Sequence, residues 1–228
     1  TIPLDKINSF LSRSRIVSEK ELKGAPYVVA GGDAHLVVGA QDEFYARGDI
    51  SENYSIYGIY RQGDEYIDPV TREKLGVLAM DIGSAEVLRA GEGEVSTLEV
   101  NRSIEEVRVG DRLLREEERA VDSTFYPKPP VGDVEGLILA VEGGLTQVGK
   151  MDVVVVNRGE REQMTPGTVM AIYKRGEKVR DRLVGDLVQL PDERAGLLMI
   201  FRVFDKVSMG LILEASQGVA VNDKVRNP

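Results

Sequence analysis

The feature that most constrains this chain is that it is written twice. Gly31-Gly32 leads to Val38-Gly39, Asp42 and Arg47-Gly48; Gly143-Gly144 leads to Val148-Gly149, Asp152 and Arg158-Gly159 in nearly the same order and spacing. Ile59-Tyr60-Arg61 with Gly63 answers Ile172-Tyr173-Lys174 with Gly176, and after an acidic turn Gly76 with Leu78 answers Gly196 with Leu198. Leu98-Glu99-Val100 pairs with Leu213-Glu214-Ala215, and Val109-Gly110-Asp111-Arg112-Leu113 with Val221-Asn222-Asp223-Lys224-Val225. Halves that correspond at glycines and turn aspartates build one supersecondary unit twice.

The unit is β in texture. Short runs rich in Val, Ile, Leu and Tyr, such as Asp152–Val156, Thr168–Tyr173, Leu197–Phe204 and Leu211–Ala215, are punctuated by glycine pairs and Gly-Asp turns. Val153–Val156 lacks polar alternation, which predicts a strand buried on both faces or a closed barrel wall. Ahead of the first copy, Leu4, Ile7, Phe10 and Leu11 recur at helical spacing and form one apolar stripe that should dock on a β unit or a partner chain. Ser18 with Glu21 makes a capping box for a second helical turn, which Gly24 and Pro26 stop.

The expected fold is therefore mainly β: two tandem, related small β-barrel-like units with a short N-terminal helical segment. Residues 1–26 form that segment, 27–114 the first unit and 134–228 the second. Between them, 115–133 carries Glu116–Glu118 and Pro127-Lys128-Pro129-Pro130. It reads as a semi-rigid acidic and proline-rich linker, or as a long surface loop of one domain.

Composition narrows the function. The net charge of -9 repels phosphate backbones and anionic membranes, so nucleic acid is not an expected partner. No apolar run approaches the roughly 20 residues that span a bilayer. The chain opens at Thr1 without Met, which places any targeting signal upstream. Without cysteine there is no disulfide framework and no thiolate metal site.

No catalytic set emerges. The single histidine, His35, has no nucleophile motif around it. With 38 Asp and Glu residues, chance carboxylate pairs are unavoidable, and the charged loops read as solvated faces. The glycine pairs precede strands, so they serve hairpin turns and not a phosphate cradle, which would open a helix. Arg47-Gly48 and Arg158-Gly159 recur as strand-end turns. Catalytic, cofactor and metal residues are expected to be none.

Taken as a set, the segments IPLDKINSFLSRSRIV, APYVVAGGDAHLVVGAQDEFYARG, YGIYRQGDEYIDPVTREKLG, VVVVNRGEREQMTPGTVMAIYKRGE and VQLPDERAGLLMIFRVFDKVSMGLILEASQGVAVNDKVRNP closely resemble the type IV pilus secretin-associated family, TsaP. The resemblance runs from Ile2 to Pro228, and LPDERAGLLMIFRVFDKVS is its most specific part. In that family a signal peptide and a peptidoglycan-binding LysM domain precede a region similar to the C-terminal domain of the flagellar protein FlgT. The residues here match the last region. The resemblance implies a periplasmic, non-enzymatic accessory subunit that docks on the outer-membrane secretin ring (PilQ-type) and helps anchor it to the cell wall. Wall binding would belong to the LysM domain.

Two partner surfaces stand out. The apolar stripe Leu4, Ile7, Phe10 and Leu11 is one, and the tyrosine cluster around Tyr54 and Tyr57 is the other. Tyr54, Tyr57, Tyr60 and Tyr66 also sustain an alternative, a carbohydrate-binding module that stacks rings on peptidoglycan glycan, although their alternation equally suits core and edge positions. Two related surfaces at fixed spacing suggest one chain per two secretin subunits.

Overall fold

The computed structural model describes residues 14–32, 37–51, 54–91, 94–116, 125–141 and 147–228. The stripe Leu4, Ile7, Phe10 and Leu11, like His35, lies outside the described residues. The chain divides into two compact units, Thr1–Glu65 with Gly76–Val121 and Tyr66–Leu75 with Asp122–Pro228.

The first unit opens with β1 (Arg15–Val17) and one helical turn, α1 (Glu19–Gly24). The Ser18 hydroxyl accepts the Glu21 amide at 3.0 Å, so Ser18 caps this turn. The strands are β2 (Tyr27–Gly31), β3 (Val37–Val38), β4 (Glu43–Arg47), β5 (Ile56–Ile67), β6 (Lys74–Arg89), β7 (Val95–Ser103), β8 (Val107–Arg108) and β9 (Arg112–Arg115). β6 pairs with both β5 and β7, so the sheet returns on itself in the cyclic order β2-β4-β7-β6-β5-β9, with β1 added beside β6. Phe44, Ile59, Leu98 and Leu113 fill it. A second cluster, Val17, Leu22, Tyr60, Val77, Ala79 and Leu114, seats β1 and α1 on the ring.

The second unit contains β10 (Glu135–Val141), β11 (Val153–Val156), β12 (Val169–Lys174), β13 (Lys178–Arg180), β14 (Leu187–Gln189), β15 (Glu193–Val203), β16 (Ser208–Ala215) and β17 (Lys224–Arg226). Six of these close a barrel in the order β10-β11-β16-β15-β12-β17. Numbered within each unit, both rings read first, second, fifth, fourth, third, sixth. β11 explains its unbroken valines: Val154 and Val156 enter the core with Ile138, Ile172, Leu198 and Ile212, while Val153 and Val155 are covered on the other side.

The hydrogen bonds match the two rings residue by residue. The Asp42 carboxylate accepts the Gly39 amide at 2.9 Å, and Asp152 accepts that of Gly149 at 2.8 Å, with Gln41 and Met151 both at positive φ. Asp111 accepts the Arg108 amide and Asp223 the Ala220 amide, at 2.8 and 2.7 Å, with Gly110 and Asn222 at positive φ. Ile59 pairs with Leu113 as Ile172 pairs with Val225. These aspartates are turn builders whose side chains mimic a backbone acceptor, so the view of carboxylates as merely solvated charge misses their role.

Register corrects three of the sequence pairings. Gln41 donates to the Val100 carbonyl and Met151 to that of Ile212, so Val100 answers Ile212 and not Ala215. Counting on from Asp42 and Asp152, Arg47 answers Asn157, one residue before the expected Arg158. Gly83 pairs with Ser103 as Gly196 pairs with Ala215, each just before a bulge, so the partner of Gly196 is Gly83 and not Gly76. A β-carbon at either glycine would sit 2.2 Å from the Arg102 carbonyl oxygen or 2.0 Å from that of Glu214, which is why both copies keep glycine. Matching Gly76 to Gly196 skips a hairpin arm that both units possess.

The proline segment, expected as a semi-rigid linker or a surface loop, is tied down at Lys128 and Pro130. The Lys128 amide donates to Gly167 at 3.0 Å, its carbonyl accepts Val169 at 2.8 Å, and Pro130 is buried, so this stretch lies along the second barrel.

Candidate docking surface

The third and fourth strands of each ring run on beyond the ring as an arm, and the two arms end in the same turn. In the first, the Asp68 carboxylate accepts the amides of Val70 (2.8 Å) and Thr71 (2.9 Å), its carbonyl accepts Arg72, and its amide donates to Glu73. In the other, the Asp181 carboxylate accepts Leu183 (2.7 Å) and Val184 (3.2 Å), its carbonyl accepts Gly185, and its amide donates to Asp186. Arg72 and Gly185 share positive φ. The six residues Asp68–Glu73 and Asp181–Asp186 thus adopt one conformation, written by an aspartate at its head.

The first tip, within Tyr66–Leu75, is part of the second compact unit, and its polar groups are paired there. The Asn157 amide donates to Asp68 Oδ2 at 2.7 Å. Glu73 accepts Arg161 Nη1 at 2.9 Å and Lys206 Nζ at 2.7 Å. Each donor is held by its own local structure. Asn157 closes β11 and accepts the Leu137 amide at 2.6 Å; Arg161 sits on the short 3-10 turn Glu160–Glu162, capped by Glu162 on the Gly159 amide; Lys206 lies in the tight β15–β16 turn.

Burial works against a charged Asp68, but the Thr71 backbone amide, the Asn157 side chain and the Val70 amide outweigh it and hold the carboxyl below its ordinary value. Lys206 and then Arg161 hold Glu73 below its ordinary value.

The second tip carries the same carboxylates without such donors: among the described residues no side-chain amide or cation meets Asp181 or Asp186. Pro191, lacking an N–H, stands where the arm leaves β15, and the ladder is interrupted between β12 and β13 and between β14 and β15. An open concavity lined by Val179, Arg180, Asp181, Arg182 and Gly185 adjoins the turn.

The tyrosine cluster divides. Tyr57 is buried in the first core with its hydroxyl accepting the Ser51 amide at 3.0 Å, so it offers no face to a partner. Tyr60 and Tyr66 are buried as well. Tyr54 is exposed and lies under the Arg115 guanidinium, 4.3 Å from its ring centre. The four-ring platform expected for glycan stacking is reduced to one ring: Tyr57 faces the core of the ring, Tyr60 lies on the opposite face of β5 in the cluster with β1 and α1, and Tyr66 is buried further along the strand. Arg47 pairs with Glu94 at the end of the β4–β7 ladder, and Arg158 donates to the carbonyl of neighbouring Asn157. Among the described residues no three His, Asp or Glu side chains gather as metal ligands. The arms were legible in DPVTRE and DRLVGD, each opening on Asp and closing on an acid, but pairing Gly76 with Gly196 hides them.

In comparisons with known proteins, no family model matches the chain and no curated protein matches it.

Proposed function

We propose that this chain is a non-catalytic accessory subunit that docks, in the periplasm, on the outer-membrane secretin ring of the type IV pilus machine and helps tie that ring to the cell wall. The observation that carries the docking part is the second arm: a hairpin with the same turn as the first, whose apolar residues Leu183, Val184 and Leu187 are exposed. The secretin as partner rests on the segments that resemble the secretin-associated family, above all LPDERAGLLMIFRVFDKVS. Anchoring is assigned to the LysM domain of that family. A duplicated β unit suits the role, since it presents related surfaces and needs no reacting groups.

The test is co-sedimentation of the purified chain with detergent-purified secretin multimers. Saturable binding is expected, with no gain of affinity when muropeptides are added. Multimers that sediment without the chain would overturn the secretin reading, and muropeptide binding by the chain alone, read by calorimetry, would favour the glycan alternative.

A further inference from the structure

Among the described residues the strands of the second arm pair only with each other, and both outer edges resist a further strand. In the first arm β1 lies beside Val77–Ala79 of β6, with Ile16 opposite Leu78. Counting back from Gly83 and Gly196, the residue at the place of Leu78 is Pro191. The Leu190 amide donates inward to the Glu177 carbonyl at 2.9 Å, so the bonding groups of Pro191 face the outer edge, where an N–H is missing. The other edge, β13, is 3 residues long and carries Lys178 and Arg180. A covering strand, from another protein or from a second copy, is therefore disfavoured, and cover for this arm must come through its side chains.

The apolar side chains point in several directions. Val179 and Val188 pair across the hairpin on one face, Leu187 stands opposite Arg180 on the other, and Leu183 and Val184 form the end. The last two are 97% and 72% exposed, and Leu187 is 70% exposed. A shallow protein groove covers one face of an element laid in it, whereas apolar groups on two faces and at the end are covered together by a medium that flows round them. Charges of both signs stand among them, Lys178, Arg180 and Arg182 with Asp181 and Asp186. A zwitterionic headgroup layer offers phosphate to the first set and ammonium to the second. Long basic side chains reach back to headgroups while an apex goes deeper, and the short carboxylates at the turn limit the depth. The net charge of -9 acts weakly here, because the apex lies roughly 10 Å past the start of β13 and the Debye length is about 8 Å at physiological ionic strength. We propose that the tip of the second arm is a shallow membrane anchor: Leu183, Val184 and Leu187 enter the headgroup boundary of a phospholipid leaflet to about 5 Å, with Arg180 and Arg182 on its phosphates. The inference deepens the docking reading, on which only the choice of leaflet rests: a chain held at an outer-membrane ring faces the periplasmic leaflet that borders it.

The test uses vesicles of phosphatidylethanolamine with a minor share of phosphatidylglycerol. In flotation at about 1 mM lipid the wild-type chain is expected to rise with the vesicles, and Leu183→Ser with Val184→Ser to lower the bound fraction about tenfold. Both positions are exposed, so strand circular dichroism is expected to be unchanged. The chain has no tryptophan, so one placed at the apex reports alone. In Leu183→Trp the fluorescence is expected to shift to the blue and to be quenched by lipids brominated on the acyl chain; in Val70→Trp, the matching position of the first tip, neither is expected. A wild-type chain that stays behind, binding unchanged by the two serines, or equal shifts at the two tryptophans overturns the proposal. If the serine pair abolishes secretin co-sedimentation without any vesicle binding, the apex fills a socket on the ring; if it abolishes wild-type self-association without vesicle binding, a second copy is the partner. Either result also overturns lipid insertion. Vesicles contain no secretin, so vesicle binding without secretin binding overturns the docking reading alone.

Discussion

Aspartates that open or close turns hold this molecule's loops. Asp111 is heavily used: it accepts the Arg108 amide and takes both Nε and Nη2 of Arg61 at 2.9 Å, while almost wholly buried. Removing Asp111 leaves the Arg108 amide without its acceptor and takes two charged hydrogen bonds from Arg61, which keeps Glu105 and the Glu106 carbonyl. Asp111→Ala is therefore expected to cost about 2–4 kcal/mol, and Asp111→Asn distinctly less because it keeps an acceptor for Arg108; urea unfolding measures both. Asp68 and Glu73 make a second prediction through pH. Their folded pKa values lie below the unfolded ones, so the stability they contribute is fully present above the ordinary carboxylate range near ~4 and is lost as pH falls through the lowered folded values. Thermal melts of Asp68→Asn with Glu73→Gln should show a shallower acid limb than wild type. Equal slopes would mean the two carboxylates are not linked to folding.

At the level of elements, the strands owe their register to bulges that recur in both rings. The β6–β7 ladder shifts between Ser84 and Ala85, and the β15–β16 ladder between Leu197 and Leu198. Gly83 and Gly196 precede these shifts and leave room for the facing carbonyl. Because backbone cannot yield as a flexible side-chain end does, Gly196→Ala and Gly83→Ala are each expected to cost about 1–3 kcal/mol, against a few tenths for Gly149→Ala, whose β-carbon would meet nothing within 4 Å. Equal costs at the three sites would show that the bulge glycines carry no steric role.

For the molecule as a whole, duplication sets the expected stoichiometry of the proposed complex. Two related barrels in one chain facing a ring of identical subunits should engage neighbours in pairs, and avidity then rises without new contacts. Native mass spectrometry of the isolated complex is expected to give one chain per two secretin subunits; one chain per subunit would mean that a single barrel docks.

The β class, the duplication, the Ser18 cap, the buried valines of β11 and the pairing of Ile59 with Ile172 and of Asp111 with Asp223 were all legible in the sequence. Each is a local matter of periodicity, turn chemistry or a side chain closing on its own backbone. The ring order, the bulges and the fate of each tyrosine were not, because they depend on which strands meet and in which register. Tyr54 and Tyr57 are near neighbours on one strand approach, yet one lies against Arg115 in solvent and the other fills the core. The contrast between the arms belongs to the same class. DPVTRE and DRLVGD write one turn, but only tertiary packing decides that the first closes on Asn157, Arg161 and Lys206 while the second stands open, since burial belongs to the surroundings of a segment and not to the segment.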